Sequence, residues 1–169
     1  MIRAIVTADR NWAIGKNGSP ITVIPDNERY IRSTTTGNTV IIGSRTISTY
    51  LIAQIPANRT NLVLSRNKDF KIPGAKIAVC NSVEDALKKA QESTGECYVL
   101  GGESIYRQFL PYCEEVEVTA VDYSYDADAH FPNLDKLPEW VLVEESEEMT
   151  HFDTVYHIKK YRRRTDYQN

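Results

Sequence analysis

Two stretches place glycine where an apolar run gives way to polar residues. They are Val40-Ile41-Ile42-Gly43-Ser44-Arg45-Thr46 and Tyr98-Val99-Leu100-Gly101-Gly102-Glu103-Ser104-Ile105-Tyr106. Each reads as a strand running into a helix. Glycine permits close approach to the backbone, and a helix N-terminus offers unsatisfied N–H groups to a phosphate. Two such ends on one sheet could hold the diphosphate of a dinucleotide. Either stretch also reads as an ordinary tight turn, and neither is a GxGxxG fingerprint or a Walker A loop. Arg45 and the pair Ser65-Arg66 put cations and a hydroxyl at neighbouring strand ends. That set suits a further phosphate, such as the 2′-phosphate of NADPH, because a guanidinium binds phosphate oxygens in a planar fork. Taken singly, each is also an ordinary surface residue.

Other chemistries find little support. Cys80, Cys97 and Cys113 are odd in number and too far apart for a compact metal knuckle. The apolar neighbours of Cys80 and Cys97 point to buried strands, and reduced thiols in a cytosolic protein are the expected state. His130, His151 and His157 lack a zinc-binding spacing. No metal site is expected.

The elements that must position these residues follow from short β-rich runs at 2–7, 39–42, 60–64, 76–79, 96–100, 115–121, 140–143 and 154–161. Several are continuously apolar, as strands covered on both faces are. Helices are expected at 26–34 after Pro25, 45–50, 82–92 and 103–110, the last stopped by Pro111. Ser82-Val83-Glu84-Asp85 reads as a capping box. The alternation predicts an α/β fold with a largely parallel sheet and a late, hairpin-like pair of strands. The acidic stretch 144–153 between those strands and the Tyr-rich stretch 122–128 read as surface loops.

With 169 residues and no Pro/Gly-rich linker, one domain spanning 1–169 is expected. Hydrophobic residues make up 41% and charged residues 25%, which excludes a disordered chain. Net charge is −3, so bulk charge does not suggest a nucleic-acid partner. The basic run 159–164 reads as a solvated end. Neither a secretory signal nor a membrane-length apolar stretch is visible, and a cytoplasmic location is expected.

The order and spacing of many small motifs resemble dihydrofolate reductase from Ile2 to about Arg162. They include Ile14-Gly15, Ile24-Pro25, Thr35, the Gly43 stretch, Ile55-Pro56, and Arg59 through Arg66. The Gly101-Gly102 stretch, Phe109-Leu110-Pro111, Thr119 and Asp128-Ala129-His130-Phe131-Pro132 complete the set. The resemblance implies a mostly parallel eight-stranded sheet with an antiparallel C-terminal strand, flanked by four helices. It implies reduction of dihydrofolate or a related pterin by NADPH, in a chain that acts as a monomer. Cofactor contacts would come from Thr7, Ile14, Gly15, Gly43, Ser44, Arg45, Thr46, Leu64, Ser65 and Arg66. Leu100, Gly101, Gly102, Glu103, Ser104, Ile105 and Tyr106 would supply the rest. Substrate would meet Ile5, Val6, Asn27, Ile31, Tyr50, Arg59, Leu100 and Thr119, with Arg59 pairing with the glutamate tail of folate. Asn27, Glu28 and Thr119 are the residues assigned to the catalytic step.

The departures from the resemblance gather in the substrate pocket. The family has an acid two residues after the proline matching Pro25, and here that position is Asn27. An apolar residue is replaced by Glu28, a Phe by Ile31, and the first loop reads Ser19-Pro20-Ile21 with one inserted residue before Pro25. Asp26 and Glu28 flank Asn27, but successive helix residues point about 100° apart, so neither should share its direction. Two alternatives follow. Water or a neighbouring acid replaces the carboxylate in a dihydrofolate reductase, or the substrate is another pteridine or a ribosylated pyrimidine. A nucleotide-binding homologue without turnover is a third.

Overall fold

The computed structural model describes residues 1–165. Eight strands form the main sheet. They are β1 (Ile2–Ala8), β4 (Thr39–Gly43), β5 (Thr60–Leu64), β6 (Ala78–Cys80), β7 (Cys97–Val99), β8 (Glu115–Val121), β10 (Trp140–Glu145) and β12 (Thr154–Arg163). Their order is β10-β12-β8-β1-β7-β4-β5-β6, and β11 (Met149–His151) adds to β12. Contacts from β8 through β6 are all parallel, and β12 runs antiparallel to both its neighbours. The sequence expectation of a mostly parallel sheet with one reversed C-terminal strand holds. Central strands such as Thr39–Gly43 are buried at every position, as their unbroken apolar runs require.

Four helices flank the sheet: α1 (Pro25–Thr35), α2 (Ser44–Ile47), α3 (Val83–Glu92) and α4 (Glu103–Phe109). Helix α2 is shorter than expected, because the chain beyond it tightens into i→i−3 turns, Thr49 N donating to Thr46 O and Tyr50 N to Ile47 O. The capping box at α3 is altered. The Ser82 hydroxyl accepts from Asp85 N at 3.0 Å, while the Asp85 carboxylate reaches Asn81 N rather than Ser82 N. Pro25 begins α1, where its missing N–H costs nothing.

Strands β2 (Ala13–Lys16), β3 (Ser19–Pro20) and β9 (Ala129–His130) make a second, three-stranded sheet that was not among the expected elements. These strands have four, two and two residues. Strands β2 and β3 pair across the two-residue turn Asn17-Gly18, both at positive φ, and β9 joins β2 from a distant part of the chain. The basic run is also more than a loose end. Its residues 159–163 lie in β12, where Lys160 meets Glu144 at 3.2 Å and Arg162 meets Glu115 at 3.4 Å.

The larger core lies on one side of the sheet, around Phe109, Val99, Ile41, Val116 and Tyr161. Ile5, Val40 and Tyr98 form a smaller cluster with Ile31 and Leu100. Cys80, Cys97 and Cys113 are buried and free. No helix among the described residues is long and apolar enough to cross a membrane, and no acid, thiol or imidazole cluster there could hold a metal.

Candidate active site

Helix α1 lays an unusual stripe toward the sheet. Positions 27, 31 and 35 recur every four residues and so share one face. Here they are Asn27, Ile31 and Thr35, with both polar ends buried. Burying a polar group costs free energy unless it is hydrogen-bonded, and each end finds a partner. Asn27 Nδ2 donates to Thr7 Oγ1 at 2.9 Å, and Thr119 Oγ1 donates to Asn27 Oδ1 at 2.8 Å. Thr7 and Thr119 are paired across parallel strands β1 and β8. They therefore point the same way, and Asn27 reaches over both. Asn27 is 5% exposed and Thr119 2%.

Thr35 anchors the opposite end. Arg59 Nη1 donates to Thr35 Oγ1 at 2.8 Å, and Arg59 Nε donates to Asn61 Oδ1 at 2.8 Å. Asn61 is fixed in turn by Nδ2 bonds to Pro56 O and Lys76 O. The guanidinium is buried, which lowers its pKa from the ordinary arginine value. It meets no acid in an ion pair among the described residues. A buried, aimed guanidinium without a protein anion suits a ligand carboxylate. Sequence reading gave Arg59 a role but gave none to its two holders, Thr35 and Asn61.

The acids beside Asn27 turn elsewhere. Asp26 is exposed and pairs with Arg29. Glu28 is open to solvent over much of its surface, yet partial burial of its carboxyl raises its pKa. Tyr50 feels that charge, and its own pKa is raised by burial first and by Glu28 second. Of Asp26, Asn27 and Glu28, it is Asn27 that receives the Thr119 hydroxyl.

The two glycine junctions meet on neighbouring strands β4 and β7. Gly43 N donates to Gly101 O at 2.9 Å. A Cβ on Gly102 would stand 3.1 Å from Thr46 Oγ1. Gly101 has φ +112°, and a Cβ there would strike the Tyr106 ring at 2.9 Å. Bare backbone is therefore a packing requirement of this cradle. The N-caps of α2 and α4, Gly43 and Gly102, carry no side-chain cap. Arg45 and Arg66 stand exposed beside Ser44 and Ser65, and neither forms an ion pair among the described residues. These residues fit a dinucleotide with an extra phosphate.

The first loop closes nearby. Gly15 O accepts from Asp128 N at 3.0 Å, and Asp128 Oδ2 accepts from Asn17 N at 3.0 Å. A Cβ at Gly15 would stand 2.9 Å from Ser19 O, so β2 and β3 can only meet at glycine. The Asp9 carboxylate holds the loop's start through Asn11 N, Ala13 N and Tyr125 N. The stretch 122–128 is therefore a clasp on this loop.

A dihydrofolate reductase family model matches residues 1–163. The chain belongs to the dihydrofolate reductase family. It is 34% identical over 161 residues to dihydrofolate reductase of Staphylococcus haemolyticus, covering 93% of each chain. It is 30% identical over 143 residues to that of Bacillus subtilis, covering 85% of this chain and 82% of the relative. Dihydrofolate reductase from Enterococcus faecalis, solved with NADP(H) and RAB-propyl, shares the fold with a TM-score of 0.82 at 24% identity, covering 96% of each chain.

The side chains of several residues assigned to ligands by the resemblance have partners within the protein in this member of the family. Val6 alternates with Ile5 along β1, so its side chain enters the larger core while Ile5 joins Ile31 and Leu100. Thr7 lies two residues from Ile5 and shares its face, which places its hydroxyl at Asn27 rather than in the nucleotide cradle. Glu103 Oε1 accepts from His130 N at 2.8 Å, which ties α4 to β9. Tyr106 is buried and donates to Ile5 O at 2.6 Å. Ile105 packs into the core beside Gly43. These three brace the cradle through their side chains. Ser104 Oγ accepts from Gln108 Nε2 at 2.9 Å on the helix surface. Ile14 and Leu64 pack at the rim of the larger core.

Proposed function

We propose that this protein reduces 7,8-dihydrofolate to 5,6,7,8-tetrahydrofolate, with NADPH as cofactor. The observation that carries this reading is the family match over 163 residues, joined to a buried Arg59 aimed without an acidic partner. NADPH, when bound, supplies the hydride that pterin C6 accepts. Gly43, Thr46, Gly101 and Gly102 would lie along its diphosphate, with Ser44, Arg45, Ser65 and Arg66 at the 2′-phosphate. Arg59 holds the glutamate carboxylate of the substrate. Its remaining N–H groups form a fork already fixed by Thr35 and Asn61, so little entropy is lost when the carboxylate arrives. Ile5, Ile31, Leu100 and Tyr50 supply the apolar walls, and Asn27, supported by Thr119, meets the pterin ring edge. Asn27 has no proton to lend, so N5 takes its proton from water.

The same reading has the chain act as a cytoplasmic monomer with no nucleic-acid partner. The want of a nucleic-acid partner is supported by the basic run, whose Lys160 and Arg162 are matched by Glu144 and Glu115. The test follows NADPH oxidation with dihydrofolate and identifies the product by chromatography. One tetrahydrofolate per NADPH is expected. Tight NADPH binding with no dihydrofolate turnover would overturn the proposal.

A further inference from the structure

We propose that the pocket also reduces dihydropteridines carrying a 2-oxo group where folates carry a 2-amino group, and discriminates in their favour, with Thr7 as the residue that sets the preference. The inference rests on the reading that the substrate ring edge meets Asn27.

A carboxamide has two N–H donors and two acceptor lone pairs. Thr7 takes one donor and Thr119 fills one lone pair. What remains is one N–H on Nδ2 and one lone pair on Oδ1, neither with a protein partner among the described residues. The count survives an amide flip, because both neighbours are hydroxyls that can donate or accept. In either orientation Asn27 offers one donor beside one acceptor. Asn27 is 5% exposed, so an unmatched group at this point cannot turn to bulk water.

A carboxylate at this position would offer lone pairs alone. Its complement is an edge with two donors, such as the 2-amino group and N3–H of a pterin. Against Asn27 that edge leaves two N–H groups facing each other. A 2-oxo ring presents C2=O beside N3–H, one acceptor and one donor, and satisfies both. Leaving a buried donor unmatched shifts affinity by roughly ten- to hundredfold. The exchanged group takes no part in the redox step. In both substrates the N5=C6 double bond becomes single, a hydride from NADPH joins C6, a proton from water joins N5, and NADP⁺ is released.

Thr7 acts through Asn27 as a positioning residue. Without its hydroxyl the amide has a second unmatched N–H and no longer holds one orientation. Serine keeps the hydroxyl and keeps the effect.

The test uses two matched probes, 6-methyl-7,8-dihydropterin and 6-methyl-7,8-dihydrolumazine, which differ at C2 and in the hydrogen that the 2-oxo ring carries on N1. Their dissociation constants for the NADP⁺-bound protein and their kcat/KM with NADPH are measured side by side. The expected wild-type result is preference for the 2-oxo probe by about tenfold or more. Asn27→Asp should invert the order, Thr7→Val should bring the ratio near one, and Thr7→Ser should retain it. Wild-type preference for the 2-amino probe overturns the inference. So does an unchanged ratio in Asn27→Asp, or full preference in a folded Thr7→Val that still binds NADPH. Dihydrofolate turnover alongside a 2-amino preference overturns this inference and leaves the proposed function standing. A 2-oxo preference without dihydrofolate turnover does the reverse.

Discussion

At the scale of single residues, the site is built by polar side chains that hold other polar side chains. Arg59 depends on Thr35 and Asn61 for its direction. A hydrogen bond to a charged group contributes about 1.5–3 kcal/mol. Thr35→Val removes the Thr35 acceptor and lets the guanidinium swing. The expected outcome is a KM for dihydrofolate raised by roughly tenfold with kcat nearly unchanged. A pteridine without a glutamate tail should show no such change, which separates a loosened Arg59 from a damaged fold. Steady-state kinetics with the two substrates check it. Thr35 also donates to Ile31 O at 2.8 Å. Valine removes that bond too, and a fall of a few degrees in Tm is expected.

At the scale of elements, the loop carrying β2 and β3 is held by few bonds, and Asp128 supplies two of them. Its carboxylate bond to Asn17 N is exposed and so is weak by itself. Asp128→Ala should speed hydrogen exchange at Asn17 several-fold and weaken NADPH binding. The main sheet should keep its protection, because the clasp lies outside it. Uniform loss of protection would mean that Asp128 supports the whole fold. Such tertiary bonds mark the limit of what the sequence reveals. The parallel sheet was legible because runs such as 39–42 and 115–121 are continuously apolar, and the glycine junctions because each is a local signal. Strands β2, β3 and β9 were not read, since two to four residues carry no period and β9 pairs from distant chain, although Asn17-Gly18 is a local turn signal between β2 and β3. Thr7 was assigned to the cofactor without regard to its side chain, which strand alternation from Ile5 sends toward α1, where it accepts from Asn27. The same rule, applied to Val6, would have sent that side chain into the larger core.

At the scale of the whole molecule, mild acidity and local basicity coexist. Net charge is −3, yet Arg45, Arg66 and Arg59 stand where anionic groups of ligands are expected. The three thiols report on the integrity of the whole. Burial raises the pKa of each, to about 12 for Cys97 and Cys113. The reactive species is the thiolate, and a raised pKa keeps these groups protonated near neutral pH. A thiol reagent should therefore modify none of them quickly in the native protein and all of them in denaturant. Saturating NADPH should slow the native reaction further, because a ligand of the folded state suppresses opening. Fast modification of a native thiol would contradict the packing. The proposed reduction of dihydrofolate proceeds with Asn27 at the position where the resemblance puts an acid. Its most direct measurement is kcat/KM for dihydrofolate with NADPH across pH, in wild type and Asn27→Asp. The wild type should turn over slowly and lose rate steadily as pH rises, since water supplies the N5 proton. Asn27→Asp should be faster by about a hundredfold near neutrality, the low end of general-acid assistance. A wild-type profile with a plateau set by a carboxyl, and no gain in Asn27→Asp, would contradict the claim and assign the proton to another acid.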